Sequence, residues 1–166
     1  MTQSTTQRLQ AVQKRIRNAE TATGRVPGSV RLLAVSKTKS SGLIREAWEA
    51  GQRCFGESYL QEAVEKIEQL RDLDIEWHFI GRIQSNKTRT IAEHFAWVHG
   101  LCDPKHARRL SEQRPDGLPP LEACVQVNVS GEVSKGGLEP EAVAGFLEQC
   151  RDLPGLRRRR QLQRGR

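Results

Sequence analysis

Hydrophobic and polar positions along this chain follow two periods. Near the N-terminus Leu9, Val12 and Ile16 recur at three- and four-residue spacing, which marks one apolar stripe of a helix. From residue 30 onward, short apolar runs are separated by helical patterns. The runs that read as strands are 30–37, 54–57, 75–81, 97–102 and 123–129. Helices are predicted over 42–50, 59–71, 86–95, 104–113 and 140–152. Within 59–71, Leu60, Val64, Ile67 and Leu70 share a stripe, as do Val143, Phe146, Leu147 and Cys150 in the last helix. Local start signals agree. Ser58 with Gln61 fits a capping box, Asp103 before Pro104 fits an N-cap followed by proline at the first helical position, and Pro140 repeats that arrangement.

Strict alternation of strand and helix implies parallel strands, because each return crossover needs a helix's worth of chain. The class is therefore α/β. No G-x-G-x-x-G follows any of the runs, and the short, even repeat of the units suits a (β/α) barrel better than a dinucleotide-binding sheet. A closed barrel of this kind has eight strands and typically about 250 residues, so this chain provides only about five of the eight units. Chemistry in such folds is sited at the carboxyl ends of strands. The run Leu32-Leu33-Ala34-Val35-Ser36-Lys37 ends there in a lysine, which makes Lys37 the first candidate functional residue.

Four blocks carry a family resemblance. They are Ala34-Val35-Ser36-Lys37-Thr38-Lys39; Phe55-Gly56-Glu57-Ser58-Tyr59-Leu60-Gln61-Glu62; Glu76-Trp77-His78-Phe79-Ile80-Gly81 running on to Gln84-Ser85-Asn86-Lys87; and Gln126-Val127-Asn128-Val129 followed by Ser134-Lys135-Gly136-Gly137. In order and spacing these resemble the pyridoxal phosphate homeostasis proteins, the YggS or PROSC family, over residues 8 to about 157. The resemblance implies a TIM-like barrel of the alanine racemase N-terminal domain type. It also implies that Lys37 holds pyridoxal 5'-phosphate (PLP) as a Schiff base. Ser58, His78 and Asn128 are the further cofactor-binding candidates; Lys87 and Lys135 are candidates for ligand or anion contacts, while Lys39 reads as solvated charge. Imine chemistry suits the assignment, since it requires a primary amine on a reachable stem and only lysine offers one. The implied function is non-catalytic: carriage or buffering of PLP, with PLP-dependent apoenzymes as possible recipients and no catalytic residue or metal. The alternative is a PLP-dependent racemase-like enzyme, which needs a second acid/base on the opposite face of the cofactor.

The chain departs from the family pattern at Arg82 and at Gly136-Gly137, both tolerable in loops, and more consequentially at Ser58 and at its end. Ser58 stands where the family usually has asparagine, replacing an amide by a shorter hydroxyl. After Leu156 the sequence becomes Arg157-Arg158-Arg159-Arg160-Gln161-Leu162-Gln163-Arg164-Gly165-Arg166, for which no strand or helix is predicted. Residues 1–156 thus read as a partial PLP-binding barrel domain and 157–166 as a basic, disordered, non-family tail. A truncated or frameshifted product is expected, with a natural short form as the alternative. The family's phosphate-binding segments have no counterpart here, so impaired binding is expected.

Charge follows the tail. Of the formal net charge of +7, six positive charges are arginines of 157–166, which leaves +1 for residues 1–156. Nonspecific nucleic-acid binding through this tail is a weaker alternative, because no recognition helix, zinc-finger spacing or aromatic RNA-binding motif accompanies it. No secretory segment or bilayer-spanning stretch is read, so a cytoplasmic location and no membrane partner are expected. Cys54, Cys102, Cys124 and Cys150 lack C-x-x-C spacing and read as reduced core residues.

Overall fold

The computed structural model describes residues 4–132 and 136–159. Helix α1 (Thr5–Ala22) opens on a reciprocal cap in which the Ser4 hydroxyl accepts from the Gln7 N–H and the Gln7 side chain accepts from the Ser4 N–H. Of its predicted stripe only Leu9 is buried, and Val12 lies exposed. The repeating units follow: β1 (Ala34–Val35), α2 (Ser41–Glu49), β2 (Cys54–Glu57), α3 (Leu60–Gln69), β3 (Glu76–Phe79), α4 (Thr88–His94), β4 (Trp97–Leu101), α5 (Pro104–Glu112), β5 (Leu121–Val125), α6 (Val143–Gln149) and β6 (Leu156–Arg159). Single 3-10 turns, Ser85–Lys87 and Pro140–Ala142, lead into α4 and α6.

All six strands are parallel and lie in chain order, β1-β2-β3-β4-β5-β6. A doubly wound sheet reverses its order at a switch point, whereas the staves of a (β/α) barrel do not. Here the order never reverses. Among the described residues no pairing joins β6 to β1, so the sheet is open at both edges.

Alternate residues divide the sheet into two faces. Phe55, Trp77, Phe79, Val98, Ala123 and Leu121 pack with Ile44, Ala63, Ile91, Leu110 and Phe146 of the helices in one continuous core. The other face carries the row Val35, Gly56, His78, Trp97, Glu122 and Arg157, paired strand to strand. It borders a cavity of about 1120 Å³ that Arg31, Cys54, Glu76, His78, Trp97 and Glu122 help to line.

Three sequence expectations are corrected. The 30–37 run forms only a two-residue strand, because its first backbone groups bond to side chains instead of a ladder: the Val30 N–H donates to Glu20 Oε1 (2.7 Å) and the Leu32 carbonyl accepts from Gln52 Nε2 (2.8 Å). The Ser58–Gln61 capping box does not form. Helix α3 begins one residue later than the box requires, with Tyr59 at its N-cap and no side-chain capping bond.

The third correction concerns the tail, where Leu156–Arg159 form a sixth strand with Leu121↔Leu156 through Cys124↔Arg159 in register. Ladder bonds come from the backbone, so a run of arginines can form one, and Arg157 adds an ion pair to Glu122 at 3.1 Å. Gly155 permits the turn into this strand, since a Cβ there would overlap the Ser111 carbonyl. The rest of the tail, 160–166, lies outside the described residues.

Candidate functional site

The carboxyl ends of β1 and β2 meet where the polar candidates are densest. Ser36 is buried, its N–H donating to the Gly56 carbonyl (2.9 Å) and its hydroxyl to Glu57 Oε1 (2.6 Å). Glu57 lies on the helix-facing side of β2 and is fully buried. Its counter-ion comes from α3, where Lys66 falls in line with Ala63 and Leu70 on the buried stripe. Lys66 Nζ donates to Glu57 Oε1 (2.9 Å), to the Ser36 carbonyl (2.9 Å) and to Glu62 Oε1 (2.5 Å). Glu62 also accepts from the Thr38 N–H at 2.7 Å. These two bonds, the Lys66 ammonium first and the Thr38 N–H second, hold the Glu62 carboxyl below the usual carboxylate range.

Between Ser36 and Thr38 stands Lys37, exposed, with no hydrogen bond or ion pair to its ammonium among the described residues. Thr38 is left-handed, with φ of 64°. Ser58 follows β2 as Lys37 follows β1, so the two stand at the carboxyl ends of neighbouring paired strands. Ser58 is half-buried, and no hydrogen bond engages its hydroxyl among the described residues. Its backbone lies against Gly81 after β3, where a Cβ would overlap the Ser58 carbonyl oxygen. Two of the four cofactor candidates therefore follow neighbouring strands, with side-chain polar ends that make no hydrogen bond among the described residues.

The other two are engaged within the protein. His78 is buried on the concave face, its Nε2 2.8 Å from Glu76 Oε1 and its Nδ1 2.8 Å from His99 Nε2, and it stacks on Trp97 with ring centroids 5.3 Å apart. Burial, which outweighs the hydrogen bond to Glu76, pushes its pKa down to about 4. Burial also lowers His99, so both rings are neutral near pH 7; His78 Nε2–H then donates to Glu76, and His99 Nε2–H donates to His78 Nδ1. For Glu76, burial is opposed by the His78 bond and by Arg31 at 2.9 Å, and the net result is a lowered pKa. The Cys54 thiol, pushed up to about 11 chiefly by burial, donates to the same carboxylate at 3.4 Å.

Cys54 Sγ, a Glu76 carboxylate oxygen and a His78 ring nitrogen lie within 4.8 Å of one another, which is a potential set of metal ligands. Arg31 and the two N–H or S–H donors all converge on Oε1 of Glu76, so the group is held together as a hydrogen-bonded network around that oxygen.

Asn128, after β5, is likewise occupied. Its amide nitrogen donates to the Glu132 carbonyl (3.1 Å) and its oxygen accepts from the Ser130 hydroxyl (3.3 Å), closing the loop that follows the strand. Lys39 and Lys87 are exposed, and Lys135 lies outside the described residues. Lys66, Glu57 and Glu62 were missed by sequence reasoning. The available signal was an acid at a helix-facing position of β2 and a lysine on the buried stripe of α3, two opposite charges at positions where the pattern calls for apolar residues.

Residues 8–161 match the alanine racemase N-terminal domain. The chain belongs to that family. Among curated relatives, the pyridoxal phosphate homeostasis protein of Pseudomonas aeruginosa is 60% identical over 148 residues, covering 89% of this chain and 64% of the relative. The protein of the same name from Vibrio cholerae is 51% identical over 154 residues, covering 90% of this chain and 65% of the relative. The chain thus spans slightly under two thirds of these relatives' length. Among solved structures, PipY of Synechococcus elongatus PCC7942 with PLP bound superposes with a TM-score of 0.73 at 38% identity, covering 86% of this chain and 66% of that one. The family match includes β6 and passes Arg157, so it extends beyond the expected end of the family-like region. No helix among the described residues is long and apolar enough to cross a membrane.

Proposed function

We propose that this chain binds PLP through Lys37 and serves PLP homeostasis as a non-catalytic carrier or buffer of the cofactor. The observation that carries the reading is the exposed Lys37 just past the carboxyl end of β1, its amine without a hydrogen bond or ion pair among the described residues, with the unengaged hydroxyl of Ser58 following the neighbouring strand. The names of the relatives and the PLP-bound PipY structure favour the same ligand. When bound, PLP supplies an aldehyde that condenses reversibly with a primary amine and releases water. Lys37 supplies the amine, and Ser58 offers one donor and acceptor beside it.

The described residues through Arg159, β6 included, act in this reading as one partial barrel domain. Racemisation would require a second acid/base poised opposite Lys37, and the two neutral histidines of the concave face already bond to each other and to Glu76. Carriage is therefore preferred to catalysis. PLP added to the chain should produce a visible absorbance band that Lys37→Ala removes and Lys39→Ala keeps, without interconversion of D- and L-alanine. An unchanged band in Lys37→Ala, or racemisation that depends on Lys37, would overturn the proposal.

A further inference from the structure

We infer that Glu62 and Lys66 of α3 are positioning residues for Lys37, an inference that rests on Lys37 being the cofactor lysine. The two peptide units that meet at the Lys37 Cα are both held by this pair. On one side the Ser36 carbonyl accepts from Lys66 Nζ at 2.9 Å; on the other the Thr38 N–H donates to Glu62 Oε1 at 2.7 Å. Lys66 and Glu62 are themselves joined at 2.5 Å, so a closed circuit of hydrogen bonds brackets Lys37, whose own amine takes no part in it.

Two features indicate that the circuit fixes geometry. Thr38 has φ of 64°, an unfavourable region for a β-branched residue, and such a conformation persists only when its surroundings impose it. Two contacts surround it: the Lys39 N–H donates to the Ser36 carbonyl at 3.0 Å, closing a turn with Thr38 as its third residue, and Glu62 accepts from the Thr38 N–H. Lys66 is also bonded to Glu57, whose Oε2 is buried without a partner among the described residues. A buried pair left partly unsatisfied contributes little net stability compared with apolar residues of similar volume. What it supplies instead is direction: three donor bonds from a single ammonium, one of them aimed at the backbone beside Lys37. Fixing that backbone narrows the arc the amine has to search, and misplacement of a reacting group is costly in rate. The device belongs to the unit after the one it serves, since α3 follows β2 and Lys37 follows β1.

The test is borohydride trapping of PLP on the full 166-residue chain, with the pyridoxyl group at Lys37 measured by mass spectrometry relative to Lys39 in the same molecules. Wild-type protein should be labelled preferentially at Lys37. Glu62→Ala should reduce the Lys37-to-Lys39 ratio at least ~5-fold with the thermal midpoint little changed, because Glu62 is partly exposed and its loss mainly frees Thr38. Glu62→Gln, whose amide oxygen can still accept from the Thr38 N–H, should retain about half of the wild-type ratio. Glu65→Ala, on the exposed side of the same helix, should leave the ratio unchanged. A ratio insensitive to Glu62→Ala, or one reduced equally by Glu65→Ala, overturns the positioning role while leaving Lys37 as the cofactor residue. Wild-type protein with no preference for Lys37 overturns the functional reading beneath it as well.

Discussion

The sheet carries a polar network on each face, and the two differ in what they leave over. On the helix-facing side, Ser36, Glu57, Lys66 and Glu62 are tied together beneath the end of β1, yet one oxygen of Glu57 has no partner and the adjacent Lys37 is free. On the concave side, Arg31, Cys54 and His78 converge on Oε1 of Glu76, and His99 bonds to the other ring nitrogen of His78. The first network trades complete pairing for control of a strand end. The second neutralises polar side chains along a cavity wall. Functional chemistry is therefore assigned to the carboxyl edge, although the histidines and cysteine make the other face richer in titratable groups.

The largest effect expected from this contrast is on stability. Lys66→Met should destabilise the fold by about 3–5 kcal/mol in urea unfolding, because it leaves the Glu57 charge buried without its counter-ion and with only the Ser36 hydroxyl bonded to it. Combining it with Glu57→Gln should recover much of that loss without restoring preferential labelling of Lys37. If Lys66→Met alone is neutral, the helix-facing pair is not the buried ion pair described here.

The concave network should instead show itself through pH. His78 has a folded-state pKa of about 4, below its unfolded value of roughly 6.5, so the unfolded chain takes up the proton first as pH falls. Stability tied to His78 is present above pH ~6.5 and is lost progressively down to about pH 4, on the order of 3 kcal/mol in all. The lowered pKa of Glu76 adds a further loss in the same direction at lower pH. His78→Gln should flatten the upper part of this profile. A wild-type melting temperature constant from pH 7 to 4.5 would show that burial does not hold His78 neutral.

Gly81→Ala addresses the seam between β2 and β3, and should cost about 1–3 kcal/mol because its new Cβ meets the Ser58 backbone, which has little room to yield. The smallest change is Ser58→Asn. It places an amide beside Lys37, and one added hydrogen bond of about 1 kcal/mol would tighten PLP binding roughly fivefold. Thermal melts and absorbance titrations read these two effects, and a neutral Gly81→Ala would mean that the loops of β2 and β3 are not in close contact.

The repeat of apolar runs made the parallel α/β order legible, and placing Lys37 at a strand's carboxyl end needed only the run that precedes it. What periodicity could not show was where backbone groups find partners. Val30 bonds to Glu20, from α1, so a run that reads as a strand is mostly not one; Arg157–Arg159 pair with β5, so a run that reads as tail is one. Lys66 was not singled out from the sequence, because a buried lysine is recognisable only once its acid is found, and Glu57 is nine residues away on a different element. His78 and Asn128 were selected by family position, but the partners that occupy their polar atoms come from other segments or the following loop.

The central claim is that Lys37, held between Ser36 and Thr38 by Lys66 and Glu62, is the residue that takes the cofactor. A crystal structure of this chain grown with PLP tests it most directly. The account predicts continuous density between Lys37 Nζ and the cofactor's aldehyde carbon, with the Thr38 N–H still on Glu62 and the Ser36 carbonyl still on Lys66. Density joining PLP to another lysine, or PLP on the concave wall beside His78 with Lys37 unmodified, would contradict it.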